Sequence, residues 1–157
     1  MRVKSYIAVF LWIILTGCAA TYERPTTAYQ PLTTSLTASK TEILTAAKLA
    51  LASEGYQIAT VDNEVGILTT SLRDMRLTPL QADCGKTMGI DYLMDNRTAT
   101  RVGYGIVAGD GKLTIRAIIE GDYRPGGQHG DQNLMLTCIS RGGLEKTLID
   151  KIKPLLP

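Results

Sequence analysis

The sequence predicts an α+β fold: an antiparallel sheet of four to five strands with an N-terminal and a C-terminal helix packed on one face. Three observations lead there. Helical periodicity is confined to a stretch beginning near residue 40 and to the carboxyl end. Between them lie β-prone runs paired around turn residues. No strand–helix unit repeats, which argues against a parallel α/β arrangement.

The first helix opens at Ser39, whose spacing to Glu42 fits a capping box, where hydroxyl and carboxylate satisfy the free amides of a helix start. "ILTAAKLALASEG" follows. Ile43, Ala47, Ala50 and Leu51 share one apolar face, and Gly55 suits the left-handed position past the helix end. "YQIATV" and "GILTTSL" form a hairpin around Asp62, Asn63 and Glu64. Residues 73–97 are polar and irregular, and no regular element is predicted there. "TATRVGYGIVA" and "KLTIRAIIEGDY" then alternate about Gly109, Asp110 and Gly111, a tight-turn signal. Alternation sets Val102, Tyr104 and Ile106 on one face, with Leu113, Ile115, Ala117 and Ile119 against the same core. Arg101, Arg116 and Glu120 then point outward. The loop "RPGGQHGDQ" leads to a strand in "NLMLTCIS", and Leu144, Leu148, Ile152 and Leu155 recur at helical spacing in "LEKTLIDKIKPLL".

These elements make one domain, residues 39–157. Ahead of it, Arg2 and Lys4 precede an apolar run over residues 6–15, too short for the roughly 20 residues of a membrane-spanning helix. A basic start, a short apolar stretch and small residues make a secretory signal peptide. Leu15-Thr16-Gly17-Cys18 resembles the lipobox of bacterial lipoproteins, a leucine and two small residues before a cysteine. The resemblance implies that residues 1–17 are removed, that the Cys18 thiol is diacylated and that the new amino terminus is acylated too. Two or more acyl chains hold a protein stably at a bilayer, where one holds it marginally. Ala19 follows the cysteine, not the aspartate that signals inner-membrane retention in enterobacterial lipoproteins, and so implies the outer membrane. Residues 18–38, rich in Thr, Pro, Tyr and Ser, are expected to be the acylated terminus and a flexible tether. The alternative is an extended segment packed on the domain through Tyr22, Tyr29 and Leu32.

Removing residues 1–17 leaves 140 residues, with 15 basic against 15 acidic side chains once Arg2 and Lys4 are gone. A neutral chain lacks the basic footprint of a nucleic-acid binder. Cys84 and Cys138, an even pair in an oxidising compartment, are expected to be bonded, pinning the irregular middle segment to the last strand. Two buried free thiols are the alternative. The sole histidine, His129, has no ligand spacing or catalytic partner around it, so no metal or cofactor is expected. Gly103, Gly105 and Gly109 lack the strand-before, helix-after context of a nucleotide loop and suit strand twist or close backbone approach. No Gly-x-Ser-x-Gly occurs, and turn chemistry or solvated strand faces account for Asp91 and Asp95, and for Asp110 and Asp122, better than carboxylate catalysis does. No enzyme is expected.

"ALASEGYQIATVDNEVGILTTS", a helix ending at Gly55-Tyr56 and a hairpin reopened by Gly66-Ile67, resembles the helix–hairpin opening of small Gram-negative outer-membrane lipoproteins, the BamC-like domains among them. The resemblance implies an architecture and an address. The expected function is a lipid-anchored, non-enzymatic binding or scaffold module, held at the membrane through Cys18 and contacting an envelope protein. The alternative is a carrier of a lipid or other apolar ligand.

Overall fold

A computed structural model describes residues 22–126 and 133–157. The lipobox with Cys18, and the loop residue His129, lie outside the described residues. In chain order the elements are β1 (Tyr22–Glu23), β2 (Leu32–Ser35), α1 (Lys40–Ser53), β3 (Ile58–Asp62), β4 (Ile67–Thr70), β5 (Arg73–Asp74), β6 (Ala82–Asp83), β7 (Lys86–Thr87), β8 (Ile90–Asp91), a 3-10 turn (Tyr92–Met94), β9 (Thr98–Gly109), β10 (Lys112–Tyr123), β11 (Leu134–Thr137), β12 (Ile139–Ser140) and α2 (Gly143–Ile152) with a closing 3-10 turn (Lys153–Leu155).

The expected four- to five-stranded sheet with a helix at each end is corrected by this architecture. The protein is mostly β, with a seven-stranded antiparallel sheet, a three-stranded sheet β1-β7-β8 and a two-stranded sheet β6-β12. Two strands also precede the first helix. The extra strands are two to four residues long, too short to carry a readable alternation. The segment expected to be a tether supplies two of them. β1 pairs with β7, and β2 pairs with β10 from Ile115 to Lys112.

The centre of the molecule is the hairpin β9–β10, paired in one unbroken register from Thr98↔Tyr123 to Gly109↔Lys112. Its alternation is the predicted one: Val102, Tyr104, Ile106, Leu113, Ile115, Ala117 and Ile119 are all buried. Each fully buried Leu or Ile contributes about 1.5–3 kcal/mol relative to exposure. On the outer edge of β9, β4 and β5 lie end to end, and on that of β10, β2 and β11 do the same. β3 completes the far edge beside β4.

α1 packs on β9 and α2 on β10, and the two helices touch. The capping box forms: the Ser39 side chain accepts from the Glu42 amide, and the Ser39 amide donates to the Glu42 carboxylate at 2.7 Å. At the other end Gly55 is left-handed (φ 75°), while Tyr56 N donates to Leu51 O and Gly55 N to Ala52 O, the paired bonds of a Schellman ending. In α2 the apolar face is Leu144, Leu148, Ile149 and Ile152; Leu155, expected to continue it, is exposed because Pro154 moves the chain into a 3-10 turn.

One residue of α2 is not apolar. Glu145 is fully buried, and its carboxylate accepts from Ala117 N (2.9 Å) and from Ser140 Oγ (2.6 Å). Ala117 lies in the gap on the edge of β10 between Ile115, where β2 stops, and Glu120, where β11 begins. A buried strand amide without an acceptor costs about as much as a lost hydrogen bond. The helix carboxylate stands where a neighbouring strand's carbonyl would be.

Candidate functional site

Three features carry chemistry. The first is the junction where the chain enters the domain. A disulfide joins Cys84 to Cys138, with Cα atoms 4.0 Å apart. Beside it Asp83 is buried: Oδ2 accepts from Thr26 N and Thr27 N (3.2 Å each) and from Thr27 Oγ1 (2.8 Å), while Oδ1 accepts from Gly85 N (3.0 Å). Arg141 approaches the same carboxylate at 3.5 Å. Burial alone pushes the Asp83 carboxyl upward, but the hydrogen bonds from Gly85, Thr27 and Thr26 outweigh it, and the net shift is below the usual aspartate value.

Tyr22, the first described residue, seats its hydroxyl within 3.2 Å of the Thr137 amide, which donates to it. Its ring meets Tyr92 edge-on, and Tyr92 meets Tyr123 the same way, with centroids 5.7 and 4.9 Å apart. Gly85 is required here, since a Cβ would overlap the Glu23 carbonyl oxygen and its φ is +83°. Three residues on, the β7–β8 turn places Met88 at φ 49° next to Gly89 at φ 77°. Two positive φ values make a type I′ hairpin turn, a place for Asn, Asp or Gly. A side chain such as methionine costs about 1–2 kcal/mol there.

The second feature is the face of the main sheet turned away from the helices. Ile67 and Val107 are cross-strand neighbours on it, with Ile118 and Met135 further along, all exposed. Gly105, opposite Arg116, has open space where a Cβ would stand. Gly103 is the reverse: a Cβ would press on Leu72, Thr70 and Ser71 at 3.2–3.3 Å, the close approach that glycine permits. At one end of this face lies a depression of about 310 Å³, lined by Asp74, Arg101, Glu120, Asp122, Arg124 and Met135. Asp74, Arg101 and Glu120 form a row across three strands. Arg101 pairs with Glu120 at 2.7 Å and Arg124 with Asp122 at 2.9 Å. Among the described residues Asp74 has no ion-pair partner, and Asp122 Oδ1 has no hydrogen bond. The depression therefore carries one uncompensated negative charge.

The third is a cleft of about 310 Å³ between the ends of α1 and α2, lined by Tyr56, Met75, Tyr104, Leu144 and Leu148, with the Glu54–Lys151 ion pair beside it. Tyr56 and Tyr104 meet edge-on with centroids 5.1 Å apart, and among the described residues the buried Tyr56 hydroxyl makes no well-formed hydrogen bond, its neighbour being the Tyr104 hydroxyl. Burial first, and Tyr56 second, push the Tyr104 hydroxyl far above its usual value, so it stays protonated.

The expected site residues fare differently. The structure brings Cys84 and Cys138 together as the bonded pair. Asp91 and Asp95 are turn residues, accepting from Leu93 N and Arg97 N. The Arg97 guanidinium, and then its amide, hold Asp95 down to about 2. Asp110 accepts from Lys40 N at the start of α1 and Asp122 pairs with Arg124, so the two do not meet as a carboxylate couple. Sequence reasoning missed Asp83, Asp74, Glu145 and the Tyr56–Tyr104 pair. Only Asp83 carried a signal, the Asp-x-Gly spacing of a side chain that caps its own turn.

Among the described residues no cluster of three metal-ligating side chains occurs, and no helix is long and apolar enough to cross a membrane. No protein-family model matches the chain, and no curated protein matches it.

Proposed function

We propose that this protein is a bacterial lipoprotein, acylated at Cys18 and anchored at the outer membrane, whose domain binds an envelope protein without catalysing a reaction. The observation that supports a binding role is the uncovered sheet face. Ile67, Val107, Ile118 and Met135 are exposed apolar side chains on this face, interspersed with Arg116 and the Arg101–Glu120 pair, beside a depression with one unbalanced carboxylate. Its complement is a partner that presents an apolar ridge and a lysine or arginine reaching Asp74. The lipobox resemblance supports the anchor and Ala19 supports the address.

The test is a photo-crosslinking residue at Ile118 in cells, followed by identification of what is captured. One protein captured from position 118, and lost when Asp74→Lys is added, is the expected result. No adduct from position 118 beyond that from exposed Leu49, on α1, would overturn the docking face. Mass spectrometry of the purified chain, showing Cys18 without acyl groups, would overturn the anchor.

A second reading, the carrier, has one observation in its favour: the Tyr56 hydroxyl in the apolar cleft, which makes no well-formed hydrogen bond among the described residues. At about 310 Å³ the cleft is at the small end of ligand sites. It suits a compact amphipathic molecule with a hydrogen-bond acceptor better than a whole lipid. Native mass spectrometry of gently extracted protein without a bound small molecule would remove this reading.

A further inference from the structure

The β7–β8 hairpin and the 3-10 turn that follows it expose three apolar side chains within seven residues: Met88 (74 % exposed), Ile90 (61 %) and Met94 (71 %). Among the described residues nothing covers them. Met88 also occupies a left-handed turn position that a polar or bare residue takes at lower cost. A long apolar side chain is thus held outward at a site where both the backbone and the solvent disfavour it. Such an outlier points to a use outside the fold.

Where the hairpin stands narrows that use. β1, which pairs with β7 through Tyr22↔Thr87 and Glu23↔Lys86, is the first strand of the domain. From Cys18 to Tyr22 is four residue steps, a reach of at most about 14 Å even fully extended. The Tyr22 side chain, the Asp83 carboxylate and the disulfide fix this strand to the body of the domain. If Cys18 carries acyl chains, the hairpin beside β1 cannot stand far from the bilayer.

We propose that Met88, Ile90 and Met94 enter the leaflet that holds the Cys18 anchor, so that the domain is seated on the membrane rather than swinging from it. This rests on acylation of Cys18. Flexible methionine side chains suit a lipid surface, which offers no fixed pocket, and exposed Lys86 at the base of the hairpin faces the anionic headgroups.

Trp12 is the only tryptophan of the chain and lies in the segment that processing removes, so a tryptophan added to the mature domain is a unique reporter. The full chain carrying Ile90→Trp is processed in a bacterial host, its Cys18 acylation is checked by mass spectrometry, and it is reconstituted in phosphatidylethanolamine–phosphatidylglycerol vesicles with or without brominated acyl chains. Val65→Trp, in the exposed turn at the opposite edge of the main sheet, is the reference. Quenching at position 90 severalfold stronger than at position 65, with a blue-shifted emission, is expected. Equal quenching in acylated protein would overturn the seating while leaving the anchor intact. Cys18 found without acyl groups would overturn both. A photo-crosslinker at position 90 that captures protein and no lipid in cells would assign the patch to a protein partner and overturn the proposal.

Discussion

The β9–β10 hairpin and the entry junction around Cys84 are held together in opposite ways. The hairpin relies on backbone: twelve residues pair with twelve, and every second side chain enters the core. The junction has only two-residue strands, and its order comes from one disulfide, one buried carboxylate that takes four hydrogen bonds, and a row of tyrosines. Removing one of many like contacts weakens the hairpin as a whole, whereas a junction built on a few specific groups fails locally when any of them goes.

The disulfide is the strongest test of that contrast. Closing a loop between cysteines 54 residues apart contributes about 4 kcal/mol in the chain-entropy model. Reduction should lower stability by roughly that amount and open residues 82–95 to protease before β9–β10, read by mass spectrometry of the fragments. Cleavage of both regions at one rate would show that junction and hairpin are a single cooperative unit. Ile115→Ala, in the hairpin core, should cost about 2–5 kcal/mol. Hydrogen exchange should show that loss spread over the whole sheet, with no region opening first.

Asp83→Asn should cost about 1–3 kcal/mol, because the amide that replaces one carboxylate oxygen cannot accept from the Thr26 and Thr27 groups. The Asp83 carboxyl is lowered in the folded protein, so its stabilisation is complete above the ordinary aspartate value of 3.8 and is lost as pH falls through the folded value. Acid should therefore release Tyr22 from Thr137 in the wild type, and the variant should show less of this pH dependence when followed by tyrosine near-ultraviolet circular dichroism. Arg101→Ala gives the smallest effect. Its pair with Glu120 is exposed, so less than about 1 kcal/mol is expected on thermal melting. A larger loss would mean that the outer face contributes to the fold and is not reserved for a partner.

The same contrast explains what was legible. Val102, Tyr104 and Ile106 alternate visibly because each buried side chain is one of a series, and Gly55 is visible because a helix end needs a left-handed residue. β1 and β2 are not, since a strand of two to four residues, recruited to the edge of a distant partner, leaves no period of its own. The cysteine pair was readable from its even number, but of Asp83 beside it only the local Asp-x-Gly turn was, because its other three donors are brought from Thr26 and Thr27. Asp74 became a candidate for the docking face only when the register set it beside Arg101.

Glu145 has a consequence for the order in which the molecule can be assembled. A ribosome delivers β10 well before the helix whose carboxylate completes its edge, since 28 residues separate Ala117 from Glu145. Until α2 arrives, the Ala117 amide faces water or a competing acceptor, although both cysteines of the Cys84–Cys138 pair precede that helix in the chain. A chain lacking its final helix therefore carries an open stretch of strand edge, a feature prone to join the wrong neighbour. That stretch closes only when the last helix docks and brings Glu145 to Ala117.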